Sequence, residues 1–210
     1  MIELYEVQYI DFVGLHCADP TYIFSFYGAL LGPRDRPPCL TNETQDKRNN
    51  MTVEVNEFKK AMQHWASGVT VVTTYTETSG VQGMTATSFS SVSLEPPQIL
   101  VCINDKTDTG EGIQQCQHFA VNILTAEQQA VSNEFAGGAS QEKRFANVAW
   151  GKGKHGMPIL QNSLTSLECR VLQQVKAGTH WIIVGEVLDV ICRPGEPLLY
   201  YRSAYRKLES

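Results

Sequence analysis

Short runs of β-branched and apolar residues dominate the chain from residue 69 onward: VTVVTTYT (69–76), QILVCIN (98–104), HFAVNIL (118–124), SLECRVLQQV (166–175), HWIIVGEVLDVIC (180–192) and LLYYR (198–202). Val, Ile, Thr and Tyr at this density favour extended backbone, so each run is expected to be a strand. Few long helices lie between them, which argues against the regular strand–helix alternation of a doubly wound sheet. A closed antiparallel barrel with peripheral helices suits them better, because closure removes exposed strand edges.

Few helices are expected. EFKKAMQHWA (57–66) repeats apolar residues at Phe58, Ala61, Met62 and Trp65, the spacing of an amphipathic helix with Lys59 and Lys60 outward, and Gly68 is expected to end it. A second starts at Thr125, where Thr125 and Gln128 make a capping box, carries Val131 and Phe135 on one face, and stops at Gly137–Gly138. A short third is expected around GEGIQQC (110–116). Gly80, in the turn ETSGVQG, is expected to supply a positive φ.

Residues 1–50 have a different character. Pro33, Pro37 and Pro38 break any periodicity, and Thr41–Asn50 is polar throughout, so 33–50 reads as a linker. The division expected is an irregular extension over 1–50 and one domain over 51–210, with Met51 as the initiator and the extension dispensable for the fold.

Composition removes several function classes. A net charge of −5 over 210 residues offers no basic face for nucleic acid. The six cysteines show no C-x-x-C spacing, so neither a zinc cage nor a disulfide framework is expected, and a reducing compartment follows. His16, His64, His118 and His155 have no mutual spacing that builds a metal site. Apolar runs fall well short of the roughly 20 residues of a membrane-spanning helix, and no secretory or transit signal opens the chain; the cytoplasm is expected. G-x-x-x-x-G-K-[ST] and G-x-S-x-G are absent, which removes the P-loop and hydrolase-elbow signatures; GKGKHG (151–156) matches G-x-G-x-x-G in letters only, with no expected strand leading into it and no expected helix opening from it, so the Rossmann signature is lacking too.

The stretch GMTATSFSSVSLEPPQILVCINDKTDT (83–109) is the chemical centre of the chain. Thr85, Ala86, Thr87 and Ser88 combine small side chains, hydroxyls and free amides, which suits the pyrimidine edge of a flavin ring; Gly83 is expected to let the backbone bend. After the strand QILVCIN, the loop Asn104–Thr109 enters a helix, where hydroxyls, amides and the helix dipole make a phosphate site, with Lys106 adding charge. Asp105 and Asp108 must then point away from the phosphate. Each segment alone also reads as ordinary structure: a polar strand, or a helix start capped by Thr109. His180, beside Trp181, is either a packed rim residue or a hydrogen-bond donor to flavin or nicotinamide. Arg202, Tyr205 and Arg206 are either a solvated tail or an aromatic and cationic wall.

From about Phe58 to Leu208 the sequence resembles the flavin reductase domain family, the small reductase components of two-component flavin monooxygenases. The ordered pieces are FKKAMQHWASGVTVVTT, GMTATSFSSVSLEPPQILVCIN, KTDT, FAVNIL, EKRFANVAW, GTHWIIVGEV and PLLYYRSAYRKL. The resemblance implies a mainly β fold, an FMN-binding split β-barrel, assembled as a homodimer with flavin near the subunit interface. It implies that Thr85, Ala86, Thr87 and Ser88 hold the isoalloxazine ring, with Cys102, Ile103 and Asn104 flanking it. Thr107 and Thr109 would take the phosphate, with Lys106 nearby; His180 would stand at the flavin and nicotinamide site, and Tyr205 and Arg206 match a C-terminal aromatic and basic pair. The cofactors implied are FMN, or FAD, with NADH or NADPH as co-substrate, and the partner implied is a monooxygenase. Two positions depart from the family: Asp108 stands where a basic residue is common between the two hydroxyls, and Thr179 where an acidic one is common. The expected activity is hydride transfer from NAD(P)H to flavin, the alternative an FMN-binding electron carrier or binding protein without that activity.

Overall fold

The computed structural model describes residues 53–208, and those from Val55 onward form one compact unit. The expectations for residues 1–50 lie outside the described residues.

The elements in chain order are α1 (Val55–Met62), β1 (Ser67–Gly68), β2 (Thr70–Thr76), β3 (Gly80–Ala86), β4 (Phe89–Leu94), β5 (Pro97–Asn104), α2 (Asp108–Cys116) and β6 (His118–Ile123). A 3₁₀ turn (Ala126–Gln128) then leads into α3 (Gln129–Phe135) and α4 (Gln141–Ala146). β7 (Trp150–Lys152), β8 (Pro158–Leu160), β9 (Thr165–Ala177), β10 (His180–Cys192), β11 (Leu199–Tyr201) and β12 (Ala204–Arg206) complete the unit.

Seven strands make one antiparallel sheet in the order β3-β2-β6-β9-β10-β5-β4. Its two edges, β3 and β4, follow one another in the chain through Thr87–Ser88 without pairing along their lengths. The sheet is therefore not closed at this corner: the closed barrel expected from strand pattern is corrected, and the split β-barrel implied by the resemblance is the one that fits. A three-stranded sheet, β1-β11-β12, and the β7-β8 hairpin complete the β structure.

Packing explains why β2 is β-branched almost throughout. Val72 belongs to a cluster with Val101, Ile103, Phe119, Val121 and Ile183, whereas Val69 and Val71 pack with Leu124, Phe135, Phe145, Leu160 and Leu198. Strand β2 is thus buried on both faces, and each such side chain contributes about 1.5–3 kcal/mol. Its threonines are satisfied internally: Thr70 Oγ1 donates to Ala86 O at 2.8 Å and Thr73 Oγ1 to Pro158 O at 2.6 Å.

Three expectations are corrected. Helix α1 runs 55–62, ends before Trp65, and buries no residue; Phe58, Met62 and Trp65 are 59%, 49% and 70% exposed. The apolar stripe is at helical spacing, but periodicity names a face and not what covers it. Gly68 lies in β1, paired with Leu199, and ends no helix. Gly83 is a close-packing glycine: a Cβ there would sit 2.8 Å from the Phe135 ring and 3.1 Å from that of Phe145. Strands β1, β4, β7, β8 and β12 and helix α4 were not expected from the sequence, and β3 takes Gly80–Gly83, expected as part of a turn. The capping box at Thr125 and Gln128 is present, and Gly80 has φ +70°.

Candidate active site at the start of α2

The corner between β3 and β4 is held by backbone and by one committed hydroxyl. Thr85 Oγ1 donates to Ser132 O at 2.7 Å. Ala86 is buried, and its carbonyl accepts from Thr70. Thr87 and Ser88 are exposed, with Ser88 O accepting from Cys102 N at 3.1 Å. Along β5, Ile99, Val101 and Ile103 turn into the core, whereas Cys102 and Asn104 alternate onto the other face. Ile103 therefore offers only backbone to that face. Burial pushes the Cys102 thiol above its ordinary range, which keeps it protonated.

The loop after β5 is built on Asn104. Its carbonyl accepts from Thr107 Oγ1 at 2.8 Å, and its side-chain Oδ1 from Lys106 N at 2.9 Å. Thr107, in extended backbone, accepts from Gly110 N at 3.2 Å and is the N-cap of α2. The expectation that Thr109 caps this helix is corrected: Thr109 lies inside the first turn, fully buried, and its Oγ1 has no hydrogen-bond partner. The amides of a helix's first turn have no intrahelical acceptor; Gly110's goes to Thr107, and those of Asp108 and Thr109 remain for a ligand. The two loop carboxylates differ: Asp105 turns to Lys176, whereas Asp108 lines the cleft itself, against the expectation that it points away. Asp105 pairs with Lys176, which holds its carboxyl below the usual range, and Asp108 Oδ2 accepts from Gln141 Nε2 at 3.3 Å.

These groups open on a cleft of about 260 Å³ whose walls include Met84, Thr85, Lys106, Thr107, Thr109 and Arg144. Four residues singled out from sequence, Thr85, Lys106, Thr107 and Thr109, thus meet in one place. Gln141 and Arg144 also line the cleft and had not been singled out, although both lie in or beside the segment EKRFANVAW. Their neighbourhood to Gly83 spans about sixty positions of chain, which no local pattern encodes.

His180 opens β10 directly opposite Asn104, so its backbone adjoins the same loop. The ring is exposed, with Nδ1 2.9 Å from Thr179 Oγ1, and Thr179 O accepts from Asp105 N at 3.1 Å. Tyr205 stands on the far side of α3, its hydroxyl 2.8 Å from Ser132 Oγ and donating to Asn133 Oδ1 at 2.8 Å. Arg206 is exposed and donates to Tyr205 O at 3.3 Å. Neither Tyr205 nor Arg206 lines the cleft at α2.

The profile of the flavin reductase like domain matches residues 62–209. The chain belongs to this family. It is 39% identical over 150 residues, 71% of this chain and 78% of the other, to the reductase component of a 4-nitrophenol 4-monooxygenase/4-nitrocatechol 2-monooxygenase from Rhodococcus opacus. It is 38% identical over 154 residues, 72% of this chain and 85% of the other, to an NADH-dependent flavin reductase from a Rhodococcus species. Among solved structures, an NADH:FAD oxidoreductase from Streptomyces globisporus, in complex with NAD and FAD fragments, matches with a TM-score of 0.69 at 30% identity. That match covers 73% of this chain and 92% of the other.

The chemistry of this flavin reductase-like domain suits the ligand its family implies. The unpartnered buried hydroxyl of Thr109, the free first-turn amides and the cations Lys106 and Arg144 suit a phosphate, against one carboxylate, Asp108, which Gln141 holds to the wall. Among the described residues no three His, Cys, Asp or Glu side chains cluster in a way that could hold a metal, and no helix is long and apolar enough to cross a membrane.

Proposed function

We propose that the chain is an NAD(P)H-dependent flavin reductase that supplies reduced flavin to a partner monooxygenase. The observation that carries this reading is the cleft at the start of α2, where Thr85, Lys106, Thr107 and Thr109 converge with a buried hydroxyl left unpaired. The relatives support it, since their names describe NADH-dependent flavin reduction and monooxygenase reductase components.

In this reading FMN is the flavin, with FAD the alternative, and NADH is the first nicotinamide to try. Flavin bound here supplies N5 as acceptor for the hydride that the nicotinamide carries at C4. The protein's work is placement. Thr85, Ala86, Thr87 and Ser88 hold the ring edge through backbone, and Cys102, Ile103 and Asn104 line the neighbouring strand. Thr107, Thr109 and Lys106 take the phosphate. His180, exposed and paired in register with Asn104, orients the nicotinamide, and Tyr205 with Arg206 closes the C-terminal side. Residues 51–210 form the reductase domain, which works as a homodimer with flavin near the interface; residues 1–50 are not needed for it. A cytoplasmic place accords with the free thiols of Cys102, Cys116, Cys169 and Cys192.

The test is an anaerobic absorbance trace at the flavin band on the full chain, with FMN and then NADH or NADPH. Bleaching that requires the protein is expected. Flavin that binds and stays oxidised with both nicotinamides would make the protein a carrier instead.

A further inference from the structure

We propose that the ion pair between Lys176 and Asp105 is a clasp that positions His180 for flavin reduction. This rests on the reductase reading of the site and on the role given there to His180.

His180 is the first residue of β10, and only the turn Gly178–Thr179 separates it from the end of β9, where Ala177 is its partner in register. Residues 176–180 are exposed, so packing does not hold the turn. Asp105 holds it at two points. Its amide donates to Thr179 O at 3.1 Å, and its carboxylate Oδ2 accepts from Lys176 Nζ. Thr179 is also the residue whose Oγ1 lies 2.9 Å from His180 Nδ1, which leaves Nε2 as the ring nitrogen to meet a ligand.

Lys176 ties this arrangement to the body of the domain. Its ammonium lies 5.2 Å from the centre of the Trp181 ring, and Trp181, next after His180, packs against the cluster of Val101, Ile103 and Phe119. On the other side, Asp105 stands between Asn104, paired in register with His180, and Lys106 of the cleft. The pair thus links the strand that carries the imidazole to the loop that carries Thr107 and Thr109. With side chains 39% and 29% exposed, it adds little to folding. What it fixes is a position, and a misplacement of about 1 Å can cost about a hundredfold in rate.

The experiment is anaerobic stopped-flow reduction of preformed protein–FMN by varied NADH, on the full chain and its K176M, D105K, K176D and D105K/K176D variants. K176M keeps the aliphatic stem over Trp181 and removes the charge. Each single substitution is expected to lower the limiting reduction rate about five- to thirtyfold. In K176M, FMN affinity by fluorescence titration is expected to change less than about twofold, because Lys176 touches no group of the cleft. The charge-swapped double variant is expected to return to within about threefold of the wild-type rate, since it restores the pair with its signs exchanged. In an H180A background, K176M is expected to add less than about twofold, because the imidazole it positions is gone. Single variants that reduce FMN at the wild-type rate would overturn the proposal. So would a double variant no faster than the singles, or a full further loss in the H180A background. Should D105K or K176D fail to fold, K176M with its H180A comparison decides the matter alone. Wild-type protein–FMN that neither NADH nor NADPH reduces would overturn the reductase reading, and the clasp with it.

Discussion

The phenol of Tyr205 lies 2.8 Å from the hydroxyl of Ser132, 73 positions earlier in the chain. The carbonyl of the same serine accepts from Thr85 Oγ1. Helix α3 therefore joins the C-terminal hairpin to the strand that borders the cleft. Replacing Tyr205 with Phe removes the hydroxyl and leaves the ring in its packing. It is expected to cost about 1 kcal/mol of stability, read as a lowered urea midpoint with an unchanged slope. If Tyr205 also faces flavin through its ring, FMN affinity should stay close to wild type in this variant.

His180 is tied to the loop through its neighbour's backbone, and its ring is exposed, with Nδ1 against Thr179 Oγ1. His180→Ala is therefore expected to slow flavin reduction by roughly ten- to a hundredfold, a hydrogen-bonded positioning contribution, while FMN binding holds. Stopped-flow absorbance with preformed protein–FMN separates the two, and unchanged reduction kinetics would reject the role given to His180.

Glu168 is 2% exposed, yet no cation pairs with it among the described residues. Its carboxylate accepts instead from the backbone amides of His155 (3.0 and 3.1 Å) and Met157 (3.1 Å), fastening the turn between β7 and β8 to β9. Glu168→Ala strands both amides in a buried site, and a loss of about 2–4 kcal/mol is expected. Thermal unfolding checks it: a melting temperature within about a degree of wild type would show that the turn does not depend on this carboxylate.

Cys169 sits beside Glu168 and is 1% exposed. Burial, and secondarily the negative charge of Glu168, pushes its thiol up to about 12 from an ordinary 9.0. A raised folded-state value means that the unfolded chain loses this proton first. The contribution to stability is complete below pH 9 and is lost as pH rises towards 12. Denaturation midpoints measured across that window should fall, and Cys169→Ala should flatten the fall. In native protein at pH 8, Cys192, exposed at the end of β10, is expected to react with a thiol reagent well before Cys169.

Much of the β framework is readable from residue order because its signal is local. The run 180–192 is extended over its whole length, and the capping box at Thr125 and Gln128 forms as its spacing implies. The loop Asn104–Thr109 is likewise marked by hydroxyls ahead of a helix. Where local pattern misled, two local solutions competed. Both Thr107 and Thr109 can cap a helix, and the choice fell to Thr107, whose extended backbone is compatible with the cap position while Thr109 packs inside.

By itself, then, the sequence determined that the chain would be mainly β, where its longer strands β2, β5, β6, β9 and β10 lie, and which stretch carries small hydroxyl residues ahead of a helix start. These follow from side-chain branching, alternation and turn chemistry within a few residues. The tertiary structure alone decided that β3 and β4 stay unpaired as the two edges of the sheet, that the apolar stripe of α1 lies exposed, and that Arg144 and Gln141 reach the cleft. Each of those outcomes depends on contacts between segments far apart in the chain, such as Arg144 with Gly83 across 61 positions, and such contacts form by packing the whole unit rather than by the preferences of any one segment.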